Sequence, residues 1–399
     1  MLRPKLLTAL CYGAMMSLAI GLNLLPVFLT SIGMSLGGEE GLTREELGRL
    51  GAVAFAGLVV GILGTGPLAD RCGAKIFAVF GNVLTIAGLI GMAWAPTYGI
   101  LLGMMFVIGL GAGMLDMILS PVVAALNPER RSAAMNWLHS FYCVGAVVTI
   151  LIGTVALTMG MGWRSVCLVV LPLPAGLLFA FLPMHFPPLV TDRVRLPMGT
   201  LMLKLWFVGA LLAIFLGGAT ELGMAQWLPA YAETSLGFST SIGGVALLLF
   251  SVAMTLGRMV AGMLGERINP YLLLSVSAGT SVVFFLLGAF LPQPGWALAA
   301  CVAAGFTGSC LWPTLLGVAA DRYPDGGASM FGALAAMGNA GGIFMPWIVG
   351  FVGDAFDLHW GLATSALAPF LMLPLLFFLW RGAKKAGGAS LPTPDRGEA

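Results

Sequence analysis

Gly66-Pro-Leu-Ala-Asp70-Arg71-Cys-Gly73-Ala-Lys75 is a charged knot between two long apolar runs, and a weaker copy, Gly262-Met-Leu-Gly-Glu266-Arg267-Ile-Asn269, begins 196 residues later behind another glycine-bearing apolar run. A motif that recurs at this distance in a chain of 399 residues means that half of the chain is repeated. Acids and bases beside hydrocarbon are unfavourable unless they pair or reach the interface, so the knot marks a membrane edge. Its opening glycine lets two helices approach closely, and Gly73 permits a tight reversal. Asp70 can then sit near the positive N-terminal end of a neighbouring helix, while Arg71 and Lys75 stay at the anionic cytoplasmic face. A generic positive-inside loop would explain Arg71 and Lys75 but not the repeat.

With 59% hydrophobic and 9% charged residues, the chain has too few charges to cover a soluble globule of this length. Long apolar runs, in place of alternating ten-residue segments, argue for helices over a barrel, because each spanning backbone must satisfy its own hydrogen bonds in lipid. The expected architecture is an all-α membrane protein of about twelve transmembrane helices. The formal charge of +2 gives no hint of nucleic acid. Six cysteines contain no CxxC pair, and five of them fall in apolar spans, so they read as small packing residues and neither a disulfide framework nor a metal site. No cofactor is indicated, and a monomer is expected. Arg3 and Lys5 precede an apolar stretch longer than a signal-peptide core, which reads as a retained first helix.

That first helix, about Leu6 to Gly33, is interrupted in character by Asn23 and Pro26. An acidic loop with Glu39, Glu40, Glu45 and Glu46 follows, and Thr43-x-x-Glu46 reads as a capping box opening the second helix. Residues 1–184 form a six-helix bundle, and the Pro- and Arg-bearing stretch 185–204, with Arg193, Arg195 and Lys204, is a cytoplasmic linker. A second six-helix bundle covers 205–381, and the Gly/Ala/Pro-rich residues 382–399 form a disordered tail. Even numbers of spans per half put both termini and the linker on one side. Of the 19 Lys and Arg, only Arg44, Arg49 and Arg164 fall on the other side, which makes the first side cytoplasmic and fits a bacterial inner membrane.

Two acids sit deep in spans with nothing near in sequence to neutralise them: Asp116 in the fourth and Glu221 in the seventh. Each is a candidate for taking up and releasing a proton, with a buried acid that locks helix packing as the alternative. In the fifth helix Ser132, Asn136, His139, Ser140 and Cys143 share one face. Asn136 and His139 can bond hydroxyls or relay a proton to Asp116. Asn23 and Asn339 either line a path or pack. Gln226, Trp227, Trp312 and Trp137 can bond or stack on a substrate ring, although Trp is also an interfacial anchor. No Lys or Arg falls mid-span in this reading, Arg258 coming nearest toward the cytoplasmic end of the eighth helix. That points to a neutral solute or a cation, because an organic anion would need a central cation.

The knot resembles the loop between helices two and three of the major facilitator superfamily, where it latches one conformation. The first copy matches the whole pattern, and the second matches its Gly-x3-acid-Arg half. Further stretches resemble the fucose–proton symporter-like sugar permeases: Gly109-Leu-Gly-Ala-Gly-Met-Leu-Asp116, Asn136-Trp-Leu-His139, Gly218-Ala-Thr-Glu221 with Gln226-Trp-Leu, and Gly338-Asn339-Ala-Gly-Gly-x3-Pro346. This resemblance implies two pseudo-symmetric six-helix halves and a protonation site at Asp116. The family's second acid, in helix one, has no carboxylate counterpart here, Asn23 being the nearest polar residue. The expected function is alternating-access, proton-coupled uptake (Na+ being the other candidate ion) of a neutral sugar or similar polyhydroxylated solute. A proton-driven exporter of amphipathic cations is the second reading, suggested by two central acids and 23 methionines. A helix-five Gly-Pro signature of drug antiporters is missing. An intramembrane hydrolase would need a nucleophile–base pair or two facing aspartates, and the sequence has no second mid-span Asp. A sensor with the same fold would bind ligand without flux.

Overall fold

The computed structural model describes residues 2–36, 41–42, 44–189, 196–265 and 267–387. Glu39, Glu40 and Thr43 of the acidic loop and its capping box, Arg193 and Arg195 of the linker, Glu266 of the second knot and the tail from 388 lie outside the described residues. In the first half the helices are α1 (Leu2–Leu36), α2 (Arg44–Cys72), α3 (Ala74–Ala93), α4 (Tyr98–Leu126), α5 (Arg131–Thr158), α6 (Trp163–Val169) and α7 (Pro172–Phe181). A short α8 (Met198–Met202) sits in the linker. The second half contains α9 (Leu205–Ala225), α10 (Leu228–Thr234), α11 (Thr240–Leu264), α12 (Pro270–Phe290), α13 (Pro294–Gly308), α14 (Leu311–Arg322), α15 (Gly327–Ala355), α16 (Leu358–Thr364) and α17 (Leu367–Gly387). Among the described residues, twelve stretches are long and apolar enough to cross a membrane.

Four spans expected to be continuous are broken, between α6 and α7, α9 and α10, α13 and α14, and α16 and α17. Pro172, Pro229, Pro313 and Pro369 each lie within the first three residues of the second piece, where a missing N–H is tolerated but the helix before it cannot carry on undisturbed. In α1 the non-helical residue is Phe28 (φ −109°, ψ 15°), two positions after Pro26.

The repeat is legible in the helix starts. α2, α4 and α5 begin at 44, 98 and 131, and α11, α13 and α15 begin at 240, 294 and 327, a constant spacing of 196. Packing repeats as well: α2 on α4 corresponds to α11 on α13, α3 on α4 to α12 on α13, and α1 on α5 to α9 on α15. The halves meet along two equivalent seams, α2 with α15 and α5 with α11. Small residues set these distances. A Cβ on Gly113 would run into the Leu58 carbonyl, and one on Gly218 into the Gly338 carbonyl, so the helices are closer than any larger side chain allows.

On the face that carries the linker, Gly73 turns the chain between α2 and α3 at φ +83°. The Asp70 carboxylate accepts hydrogen bonds from the Ala328 N–H (2.6 Å), the Ser329 N–H (3.1 Å) and the Ser329 hydroxyl (2.6 Å), at the N-terminus of α15 in the other half. Both the free donors of a helix start and its dipole favour an anion there. Gly66 lies against the Ala328 carbonyl, Lys75 donates to the Leu182 carbonyl (2.6 Å), and Arg71 is exposed. In the second copy, Gly262 packs on the Trp137 ring of α5, and Arg267 is exposed before α12.

Gly113→Leu is expected to abolish the monodisperse peak in detergent size-exclusion chromatography, because overpacking against backbone leaves no side chain to move. Gly64→Leu, at a position with nothing within 4 Å of a built Cβ, is expected to leave that peak and the melting temperature as they are.

Candidate functional site

Between the halves lies a cavity of about 130 Å³. Its polar wall is formed by Asp116 of α4, His139 and Tyr142 of α5, Glu221 of α9, Arg258 of α11 and Asn339 of α15, with Trp312 of α14 beside them. Leu18, Leu22, Phe55 and Leu58 supply an apolar wall from α1 and α2.

The electrostatics of this site turn on Arg258, which is 3% exposed. Its Nη2 donates to Glu221 Oε2 at 2.6 Å, its Nε to the Ser309 carbonyl at 3.0 Å, and its Nη1 to the His139 carbonyl at 2.9 Å and to Cys143 Sγ at 3.0 Å. The Ser309 carbonyl is available because the residue four positions on is Pro313, which has no N–H to return. Asp116 differs: no hydrogen bond or ion pair reaches its carboxylate from the described residues. The site therefore holds one compensated acid and one bare acid.

This corrects the expectation that no cation lies mid-span. Arg258 sits near the linker-face end of α11, but its side chain is long enough to carry the guanidinium into the cavity wall. Glu221 is correspondingly not without a neutralising partner. The partner comes from another helix, 37 residues away in sequence, where sequence neighbours give no sign of it.

Of the other candidate residues, His139, Trp312 and Asn339 line the cavity, the Asn339 amide also donating to the Ala335 carbonyl at 2.9 Å. Five do not line it, Trp137 among them, its ring lying against Gly262. Asn136 is fully buried and donates to Thr314 Oγ1 at 2.7 Å and to the Ser132 carbonyl at 2.9 Å, which makes it a tie between halves. Trp227 donates its indole N–H to the Pro346 carbonyl at 2.8 Å, held within the second half. Gln226 is exposed at the break between α9 and α10. Asn23 donates back to the Ala19 carbonyl at 2.8 Å on its own helix and hydrogen-bonds Tyr142 of the cavity wall from behind, while the lining from α1 is leucine.

The α5 stripe does share a face, but that face is the seam. Ser132 abuts Gly317, Asn136 meets Thr314, and Cys143 meets Arg258, so His139 alone of the stripe reaches the cavity. Further ties on the linker side come from Arg131, which donates to the Ala320 carbonyl at 2.8 Å and pairs with Asp321 at 3.4 Å. Sequence reasoning misses Arg131, Thr314, Ser329 and Tyr142. Only Tyr142 carries a signal, standing three residues beyond His139 on the same helix face.

Two more cavities continue the path toward the linker face. A small one of about 10 Å³ lies between Asp116, Ser120, His139, Trp312 and Phe331. A larger one of about 330 Å³ lies beyond it, between Pro121, Ala124 and Arg131 of one half and Ala320, Tyr323 and Phe331 of the other. Among the described residues, no group of three or more His, Cys, Asp and Glu could hold a metal ion.

Comparison with known proteins identifies the family of the chain. The model of the Major Facilitator Superfamily matches residues 6–326 and 235–396. A gentisate transporter of Corynebacterium glutamicum is 25% identical over 359 residues, covering 83% of this chain and 77% of that protein. A probable nitrate/nitrite transporter, NarK2, of Mycobacterium tuberculosis is 27% identical over 319 residues, covering 75% of this chain and 78% of that protein. Among solved structures, a single-substitution form of the E. coli fucose:proton symporter superposes with a TM-score of 0.80 over 94% of this chain and 99% of that one, at 18% identity, which is a likeness of fold. The chain belongs to the Major Facilitator Superfamily and is a multi-pass membrane transporter.

Proposed function

We propose that the protein moves a small organic anion, a carboxylate with a single ring or of similar size, together with a proton, by alternating access around the central cavity. The observation that carries this reading is the guanidinium of Arg258 in the cavity wall. The neutral-solute expectation rests on there being no such group. Arg258 cancels Glu221, and Asp116 is left over, so an anion entering the cavity meets a net negative charge. A proton on Asp116 removes that charge, and anion and proton then bind together. The forked guanidinium suits a carboxylate, and the leucines and Phe55 suit a ring. An engineered cavity of about 150 Å³ admits benzene, so one ring is the right order of size here. The two relatives are named for anions, gentisate and nitrate or nitrite.

In this reading the linker face is cytoplasmic, because the Lys and Arg residues gather there. The ties formed by Asp70, Arg131 and Asn136 then close the cytoplasmic side, with Asp70 as the latch, and opening that side breaks them. The halves rock as bodies about the fixed site.

The test is purified protein in proteoliposomes with an external pH dye, challenged in turn with gentisate, nitrate and fucose. Proton uptake with an anion is expected. Proton movement with fucose alone would return the neutral-solute reading, and dye-cation efflux would favour the exporter. Arg258→Gln is expected to weaken anion binding about 100-fold, the scale of losing one partner of a buried charge pair. Asp116→Asn is expected to leave uptake down an anion gradient but to end its response to a pH gradient.

For the latch, Asp70→Asn loses a charge-assisted set of hydrogen bonds at the α15 start. In a background with Cys72 replaced by Ser, a cysteine at Ala124 in the linker-face cavity is expected to react with maleimide about tenfold faster when Asp70 is changed. An unchanged rate would remove Asp70 from the latch.

A further inference from the structure

A groove that shares no residue with the central cavity lies on the outer surface of the second half, between the linker-face ends of α12 and α17. Its volume is about 360 Å³, against about 130 Å³ for the central cavity. Leu272, Leu376 and Phe377 line it together with Tyr271 and Trp380, and Asn269 stands at the start of α12. The polar group on the inner wall is satisfied by its own helix, the Ser275 hydroxyl donating to the Tyr271 carbonyl at 2.8 Å, so this part of the groove offers hydrocarbon. Leu272 and Phe377 are 57% and 49% exposed, which opens the groove to the membrane side.

The mouth of the groove is cationic. Lys384 holds its ammonium 4.2 Å from the centre of the Trp380 ring, and Arg381 holds its guanidinium 4.5 Å from that of Phe377. Each ring that walls the groove is thus capped by a charge from one helical turn nearer the linker face. Among the described residues neither cation pairs with a carboxylate. Asn269 Oδ1 accepts from the Tyr271 N–H at 2.9 Å, which fixes the amide and leaves its NH2 without a protein partner among those residues. Arg322 and Asp321 both act on Tyr271, and Asp321 is engaged by Arg131 at 3.4 Å. One apolar span begins at Pro270 and the other ends at Lys384, so the mouth sits at headgroup depth. The first half closes the equivalent place with its own side chain. Tyr271 corresponds to Lys75 at the spacing of 196, and Lys75 bridges from α3 to the Leu182 carbonyl at the end of α7.

We propose that this groove binds one anionic phospholipid of the linker-face leaflet, with its phosphate at Arg381, Lys384 and the Asn269 amide and one acyl chain along Leu272, Leu376 and Phe377. The order of chemistry along the groove is the order of groups in such a lipid: unpaired cations and a free N–H donor at headgroup depth, then hydrocarbon below. A lipid with a net neutral headgroup brings its own ammonium to the same two cations and is repelled by them. An extended peptide would carry backbone N–H and C=O groups past apolar walls that offer them no partners. A second copy of this chain, docked by the same patch, would set Arg381 and Lys384 against their own counterparts. The bound lipid touches α12 and α17 at once and so ties the last span to the rest of its half. The site is independent of which solute the central cavity carries.

Native mass spectrometry of the purified full chain, titrated with phosphatidylglycerol and separately with phosphatidylethanolamine, reads the bound lipid by its mass. One phosphatidylglycerol is expected to bind more tightly than phosphatidylethanolamine. Arg381→Gln combined with Lys384→Gln is expected to weaken phosphatidylglycerol about 25-fold, about fivefold for each cation, and to leave phosphatidylethanolamine as it was. Leu272→Trp, at an exposed position, fills the groove while keeping both charges, and is expected to lose the lipid too. Lys5→Gln combined with Lys204→Gln removes the same charge from exposed positions elsewhere on the linker face and is expected to change nothing. An equal loss in that control would mean a general attraction to anionic lipid and would overturn the site. Equal binding of the two lipids by the unaltered protein overturns it as well, as does phosphatidylglycerol binding that survives in Leu272→Trp. A dimer of the chain in place of the lipid adduct, broken by Leu272→Trp, would assign the groove to self-association and likewise end the proposal.

Discussion

A guanidinium cannot be left alone inside a membrane protein, and the way Arg258 is satisfied decides much of the surrounding structure. Removing its charge from water costs several kcal/mol, offset only if each donor finds an acceptor of good geometry. The acceptors come from three different spans: the Glu221 carboxylate of α9, a carbonyl freed by Pro313 at the break before α14, and a carbonyl and the Cys143 sulfur of α5. The two on α5 belong to the other half of the molecule. The same group that charges the cavity wall thus also stitches the α5–α11 seam, and whatever competes for Arg258 acts on both.

That double duty links binding to motion in physical terms. A ligand shifts a conformational equilibrium only by its differential interaction with the two states. A carboxylate that draws a donor away from Glu221 changes the charge balance at the joint between halves, whereas a neutral solute bonded only to Asn339 or Tyr142 leaves the joint as it was. The glycine contacts matter here because they make each half rigid. With helix backbones in contact at Gly113 and Gly218, strain has nowhere to go within a bundle and is passed to the seams.

Much of this is legible in the sequence, and the boundary has a physical origin. Periodicity and apolar length report on each helix by itself, so the twelve spans can be read directly. The knot at Gly66 to Lys75 is legible because its chemistry is local: a turn glycine, an acid and two bases within ten residues. The partner of Asp70, by contrast, is 258 residues away at Ala328, and that of Glu221 is on a different helix. Sequence alone offers no pairing rule at such distances. For the same reason sequence position gives Asn136 and Arg258 the opposite of the roles they have, placing the first in the cavity and the second at the rim. Each stands near the linker end of its helix, but Asn136 is short and bonds sideways, while Arg258 is long and reaches inward.

The repeat offers a way of seeing why the site is where it is. At the constant spacing of 196, Gly61 corresponds to Gly257 and Gly66 to Gly262, and these positions keep the same residue because the same helix contacts must be made in both halves. The cavity residues do the reverse. Arg258 corresponds to Ile62, Glu221 to Leu25, Asp116 to Trp312, His139 to Ala335 and Asn339 to Cys143. A symmetric pair of charges on the axis would face its own copy at short range and repel it, as two carboxylates that share a site do. Breaking the symmetry puts a cation in one half against a bare acid in the other. The charged and polar residues that line the path are thus ones that break the repeat, while Gly61 and Gly66, which keep it, serve helix packing.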